Sequence, residues 1–166
     1  MTAHGSNSVD AWLNAMIGPL EEILKSAPDA GFIGIRKGGV AIAERLHQRL
    51  QPENPLGELD IAFYRDDFAK VGLHPVVGPS SVPFTVDDRT IVLIDDVLAS
   101  GRTVRAAMNE IFDYGRPARI VLAVLVQRAG HELPIRADII GTQLDVPPES
   151  YIDFDVTSGV VTVGTR

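Results

Sequence analysis

The segment Val92–Val104, VLIDDVLASGRTV, gathers the residue types needed to grip a phosphorylated sugar. An apolar run ends in two adjacent carboxylates, Asp95 and Asp96, a small-residue turn Ala99-Ser100-Gly101 follows, and Arg102 and Thr103 open a helical pattern. Backbone N–H groups at a helix start point outward and, with the helix dipole, hold a dianionic phosphate. The Ser100 and Thr103 hydroxyls can help, and Gly101 relieves crowding of the backbone. The two carboxylates are acceptors and cannot serve that anion, but they can take hydrogen bonds from neighbouring vicinal hydroxyls. Amides for a phosphate and carboxylates for a diol together describe a ribose phosphate. In transfer at the sugar's anomeric carbon, positive charge develops on the ring, and the carboxylates then also help electrostatically. Read more plainly, the same residues are a solvated strand end and an ordinary helix start. That reading leaves the coincidence of the parts at fixed offsets unexplained.

A second cluster, Arg36-Lys37-Gly38-Gly39, combines two cations with glycine amides, which suits a polyphosphate; a tight turn carrying solvated basic residues is the alternative. Two such turns must be delivered to one place by a scaffold, and the hydrophobic pattern supplies it. Apolar residues recur at helical spacing from Val9 to Ser26, with Asp10 as a cap candidate. Gly31–Ile35 reads as a buried strand, Val40–Leu50 as a helix and Leu59–Tyr64 as a second strand. Phe68–Asp88, with Gly72, Pro75, Gly78, Pro79 and Pro83, reads as a long flexible loop. Thr90–Ile94 is a wholly apolar strand, Gly101–Tyr114 a helix and Arg119–Val126 another apolar strand. Strands buried on both faces and alternating with helices predict a mainly parallel α/β sheet flanked by helices, with ligands beyond the carboxyl ends of the strands. Ala137–Gly141, Tyr151–Val156 and Val160–Val163 read as short strands of an appended cap. The expectation is one domain over 1–166, with a core of about 9–126, a hood mainly of 127–166 and a loop of about 68–88. A receiver domain also places acids at strand ends, but its acidic pair follows the first strand, whereas Asp95-Asp96 comes after more than half the chain.

Composition bounds these readings. A chain of 166 residues that is 45% hydrophobic can bury one sheet but not two ordinary domains. No apolar run nears the roughly 20 residues that span a bilayer, and the beginning of the chain lacks the basic-then-apolar signal pattern. With no cysteine, this makes a cytoplasmic location the expectation. The four histidines, His4, His47, His74 and His131, have no metal-binding spacing. A net charge of −7 opposes a broadly basic nucleic-acid surface.

The motif resembles the signature of type I phosphoribosyltransferases for phosphoribosyl pyrophosphate (PRPP). Tyr64-Arg65-Asp66-Asp67, VLIDDVLASGRTVRAAM, Gly115-Arg116-Pro117, LAVLVQR and Glu132 to Asp138 together resemble the PyrR family over roughly residues 31–142. That resemblance implies the type I phosphoribosyltransferase fold with a small hood, and conversion of uracil and PRPP to UMP and pyrophosphate. It also implies Mg2+ carried by PRPP rather than ligated directly by the protein, and a homodimer or higher homo-oligomer. Asp95, Asp96 and Arg65 would be catalytic. Asp95 and Asp96 would hold the ribose hydroxyls, Ala99, Ser100, Gly101, Arg102 and Thr103 the 5-phosphate, and Arg36, Lys37, Gly38 and Gly39 the pyrophosphate. Gly38 stands where the family commonly has arginine. Arg65, Asp66 and Asp67 enter a loop that can close over substrate, and Lys70 and His74 could then meet pyrophosphate. The base would lie near Val126, Gln127 and Arg128, with Gln127 replacing an expected acid. Arg136 is expected to pair with Glu132 or Asp138. Family members that regulate pyrimidine genes bind RNA through a basic face. Here the first helix has only Lys25 against Asp10, Glu21 and Glu22, Ala129-Gly130-His131 stands where the family has a more basic run, and Thr142 stands where it usually has a lysine. Two functions remain open: a uracil phosphoribosyltransferase with weak or no RNA binding, or a nucleotide-sensing regulator, acting through RNA or a protein, whose catalysis is reduced or lost.

Overall fold

Alternation along the central strands divides the interior into two hydrophobic cores, one on each face of a single parallel sheet. The structure, a computed structural model, describes residues 1–61 and 80–166. In chain order its elements are β1 (Thr2–His4), α1 (Ser6–Ser26), β2 (Gly31–Ile35), α2 (Gly38–Leu50), β3 (Gly57–Leu59) and β4 (Thr90–Leu98). They continue with α3 (Arg102–Tyr114), β5 (Arg119–Arg128), β6 (Ile139–Leu144), β7 (Ser150–Asp155) and β8 (Val160–Thr165). The main sheet has the order β3-β2-β4-β5-β6, with every neighbouring pair parallel.

Phe32, Val92, Ile94, Val121, Ala123 and Leu125 point to one face and meet Val9, Leu13, Met16 and Leu20 of α1 and Ile42, Ala43 and Leu46 of α2. Ile33, Ile35, Ile91, Leu93, Leu122 and Val124 point to the other and meet Val104, Ala106, Ala107 and Ile111 of α3. Burial on both faces is why these strands read as continuous apolar runs instead of alternating ones. Near the carboxyl end of β4 the parity reverses: Val97 packs with the first core and Leu98 with the second. The reversal falls at Asp95-Asp96, where the chain turns toward the site.

Several boundaries differ from those expected. The first helix begins at Ser6, with Gly5 as its cap and no side-chain cap, so Asp10 lies inside the helix. The second strand starts earlier, at Gly57, because Gly57–Leu59 takes the register opposite Ile33–Ile35 of β2. β4 runs on through Leu98, so the acidic pair sits within its last turn of pleat and not after it. Of the segment Ala137–Gly141, assigned by its short pattern to the cap, Ile139–Gly141 instead lie in β6 at the edge of the main sheet, parallel to β5. Gly141 allows this position. A Cβ there would lie 2.6 Å from Leu125 O and 3.0 Å from the Trp12 Cβ, so α1 can lie tightly across β6 only without a side chain at this point. The hood itself is a separate antiparallel sheet of order β1-β8-β7, and its β1, at the opposite end of the chain, was not expected.

Candidate functional site

The winding of the main sheet reverses between β2 and β4. From β2 the chain passes through α2 to β3 at one edge, whereas from β4 it passes through α3 to β5 and β6 at the other. The turns that leave β2 and β4 therefore diverge, and a crevice opens at their carboxyl ends, where α/β sheets place ligands. A cavity of about 360 Å³ occupies it, lined by Arg36, Lys37, Gly38, Asp60, Asp95, Asp96, Val97, Thr103 and Asp153 among others.

The two turns touch, and glycine makes this possible. A Cβ on Gly39 would lie 2.6 Å from Ile94 O and 3.0 Å from the Asp95 Cα, and one on Gly38 would lie 1.9 Å from Asp96 Oδ2. Gly38 and Gly39 are thus where β4 and its carboxylates press against the basic turn. Asp95 is buried and its Oδ1 accepts the Asp96 N–H at 2.9 Å. Asp96 Oδ1 accepts the Val97 N–H at 2.7 Å. These local bonds fix both carboxylates at the mouth of the strand.

Beyond them, Gly101 takes a left-handed conformation (φ +93°), which glycine adopts without strain, and caps α3; the first helical bond runs from Arg105 N–H to Gly101 O at 2.9 Å. The amides before that bond have no intrahelical acceptor, as at any helix start, and such amides can receive an anion. Ser100 Oγ accepts the Arg102 N–H at 3.2 Å, and Ser100 O accepts the N–H groups of Glu132 and Leu133, so the β5–β6 connection braces the turn from outside. The Arg102 side chain points away from the crevice to Glu132, with Nε 3.0 Å from Oε2. Glu132 is therefore paired with Arg102 and not with Arg136, and Asp138 Oδ2 accepts the Leu122 N–H at 2.9 Å. Among the described residues the expected Arg136 ion pair is not formed.

Arg36 and Lys37 diverge. Arg36 turns back to β3, its Nε and Nη2 donating to Glu58 Oε2 at 3.1 and 3.0 Å, with Nη1 3.8 Å from Asp60 Oδ2. Lys37, at the cap of α2, is exposed at the cavity. Asp60 N–H donates to Ser80 Oγ at 2.9 Å, and the Ser80 hydroxyl donates to Glu110 Oε1. Glu110 is a buried carboxyl on α3 whose Oε2 has no hydrogen-bond partner among the described residues. Burial raises its pKa above the usual carboxylate value. The Ser80 hydroxyl opposes that shift, and the negative charges of Asp60 and Asp113 add to it.

On the far side of the Ala99–Thr103 turn lies a second cavity, of about 380 Å³, bounded by Ala99, Ser100, Arg128, Gly130 and hood residues including Val146, Pro148 and Ser150. Arg128 spans to the hood, donating to Ser150 O at 2.7 Å and Pro147 O at 3.2 Å. Gln127 Oε1 faces the Ala137 N–H at 3.4 Å, and the Val126 side chain is fully buried in the first core. Arg65, Asp66, Asp67, Lys70 and His74 lie outside the described residues. The structure thus brings Asp95, Asp96, Arg36, Lys37, Gly38 and Thr103 to one cavity. It adds Asp60, whose position one residue past the short β3 gave no motif, and Asp153, which β7 brings over the cavity from far along the chain.

Residues 16–157 match the family model of the phosphoribosyl transferase domain, a span that contains both turns. A bifunctional protein PyrR from Nitrosococcus oceani is 60% identical over 123 residues, 73% of this chain and 70% of that one. Its counterpart in Pseudomonas syringae pv. tomato is 54% identical over 75% of this chain and 73% of its own. Among solved structures, the purine phosphoribosyltransferase of Pyrococcus horikoshii superposes with a TM-score of 0.66 at 26% identity, covering 85% of each chain. The fold is that of a type I phosphoribosyltransferase, a glycosyltransferase-class enzyme. Within that class the chain belongs to the PyrR family.

Proposed function

We propose that this enzyme transfers the phosphoribosyl group of Mg-PRPP to uracil, releasing UMP and pyrophosphate. The observation that carries the reading is the contact between the turns: Asp95 and Asp96 stand between an anion-binding helix start and a basic glycine turn, so one ligand with a phosphate at each end of a ribose spans them. In this reading the α3 start and the Thr103 hydroxyl hold the 5-phosphate, Asp95 and Asp96 accept from the 2- and 3-hydroxyls, and Arg36–Gly39 receives the pyrophosphate. The magnesium arrives as part of the substrate, and carboxylates beside Lys37 suit a ligand that carries both cation and polyphosphate. Uracil N1 bonds to C1 of the ribose as the C1–O bond to pyrophosphate breaks, and the N1 proton passes to water. Asp95 and Asp96 offset the positive charge that builds on the ring.

The choice of uracil is supported by the family, whose relatives carry the name bifunctional protein PyrR. The base is assigned to the side of the turn where Arg128 braces the hood. The Val126 side chain is buried and Gln127 Oε1 faces the Ala137 N–H, so the base's contacts there fall to Arg128, Gly130 and the hood. Weak or absent RNA binding is supported by α1, whose exposed charges are Asp10, Glu21, Glu22 and Lys25, with Lys25 held by Glu22 at 2.9 Å. The second reading, a nucleotide-sensing regulator with reduced catalysis, is favoured by Gly38 and Gln127. A cytoplasmic location and a homo-oligomer complete the proposal; no described helix is long and apolar enough to cross a membrane.

Pyrophosphate release from Mg-PRPP, followed with uracil, orotate, hypoxanthine and guanine supplied separately, is expected only with uracil. Binding of PRPP or UMP without turnover on any base would favour the regulator. Filter binding to a pyrimidine-leader RNA should show no preference over control RNA, and tight UMP-enhanced binding would reverse that part of the proposal.

A further inference from the structure

The basic turn carries two cations, and the structure gives them different work. Arg36 is the less exposed, and its guanidinium is committed to β3: two donors meet one oxygen of Glu58, and a third nitrogen stands near Asp60. Glu58 is itself rigidly held. Its backbone exchanges both hydrogen bonds with Ser81, N–H to Ser81 O at 2.7 Å and O from Ser81 N–H at 2.8 Å, and Arg36 N–H donates to Leu59 O at 2.9 Å. The Arg36 backbone and side chain are thus both anchored on the edge strand, at the start of the turn whose glycines abut Asp95 and Asp96. Lys37 follows at the cap of α2, exposed and at the cavity. A Cβ at position 38 would start 1.9 Å from Asp96 Oδ2, so in this chain the turn carries its cations at positions 36 and 37 alone.

We infer that Glu58 is a positioning residue for the pyrophosphate turn: it holds Arg36 as a structural anchor, and Lys37 is the cation that meets the leaving group. Arg36 then acts through the turn's shape and not through contact with pyrophosphate. This rests on the reading of Arg36–Gly39 as the pyrophosphate site.

A rival arrangement makes the opposite prediction. Were Arg36 the direct ligand, Glu58 would compete with pyrophosphate for it, and neutralising Glu58 would tighten binding. The test titrates Mg-pyrophosphate and, separately, ribose 5-phosphate into the wild-type protein, Glu58→Gln, Arg36→Gln, their double variant and Lys37→Gln, with KM for PRPP and kcat measured alongside. The expected result is pyrophosphate binding weakened by about tenfold in Lys37→Gln, the loss of one charge-assisted contact. Glu58→Gln and Arg36→Gln should weaken it to a similar degree as each other, and the double variant should be no worse than either, as for two residues acting as one unit. Ribose 5-phosphate should bind all five proteins alike. Tighter pyrophosphate binding in Glu58→Gln, additive losses in the double variant, or unchanged binding in Lys37→Gln would each overturn the inference. Parallel loss of ribose 5-phosphate binding would do so too, by showing a role in the fold at large. Absence of pyrophosphate binding in the wild-type protein would instead sink the underlying reading of the turn.

Discussion

Replacing Gly38 with alanine adds one methyl group at the point where the two turns meet. The backbone there does not require glycine, since Gly38 is not in the left-handed region, so the effect comes from space alone. The new Cβ would start 1.9 Å from Asp96 Oδ2 and 2.5 Å from its Cγ, and the oxygen must withdraw by about 1.5 Å to reach ordinary contact. The carboxylate can move only by giving up or bending its 2.7 Å bond from Val97 N–H. That bond contributes about 1 kcal/mol, partly offset by the reduced freedom of the unfolded chain on going from glycine to alanine, about 0.4–1 kcal/mol. The melting temperature should therefore fall by no more than about 2–4 °C. Ligand binding should suffer far more. Loss of one hydrogen bond from a ribose hydroxyl to a charged acceptor costs roughly 1.5–3 kcal/mol, an affinity loss of about 10- to 150-fold. Calorimetric titration of Mg-PRPP into wild-type and Gly38→Ala protein, with a thermal melt of each, reads both quantities. Affinity within twofold of wild type would refute the claim that Asp96 and the basic turn share one ligand across this contact.

Further outcomes follow from the same geometry. Glu110 has its folded-state pKa raised by burial, so the native state binds its proton more tightly than the unfolded chain does. Its contribution favours the fold at pH below the usual carboxylate pKa and is lost as pH rises through the raised folded value. Glu110→Gln should therefore flatten the fall in melting temperature between mildly acid and neutral pH, and identical pH profiles would contradict the assignment. Arg128→Ala removes both donors that tie β5 to the hood and leaves the Ser150 and Pro147 carbonyls without that partner. It should raise KM for the base by more than KM for PRPP, and an equal rise in both would place Arg128 elsewhere in function.

The half of the candidate site proposed for phosphate and ribose was legible as a cluster because all of it lies in one strand, turn and helix. Apolar β4, Asp95, Asp96 and the Gly101 turn are neighbours in sequence, and their offsets are set by local geometry. Gly38 and Gly39 could be read as turn glycines, but not that Gly39 lies against the backbone, and Gly38 against the Asp96 carboxylate, of a strand far along the chain. Arg102 stands at the helix start as expected, yet its side chain goes to Glu132, a choice made by the β5–β6 connection folding over Ser100. The same connection takes the partner expected for Arg136. β6 was placed in the hood because an edge strand with half-exposed residues carries the same short pattern as a hood strand; its pairing with β5 and the Gly141 contact with α1 are tertiary facts. β1 is too short to show any period and exists through its pairing with β8. Glu58, Asp60 and Glu110 read as ordinary polar positions on a strand end and a helix, and only the approach of Ser80 and Arg36 makes them a network.

The central claim, that Asp95 and Asp96 hold the ribose of PRPP between two phosphate sites, is tested most directly by calorimetric titration of Mg-PRPP into the Asp95→Asn/Asp96→Asn variant. Neutral amides keep the shape of the strand end and its acceptors for the Asp96 and Val97 N–H groups, so circular dichroism should show a folded chain. The account predicts no measurable heat of PRPP binding at concentrations that saturate the wild-type protein. A dissociation constant unchanged from wild type in the folded variant would contradict it.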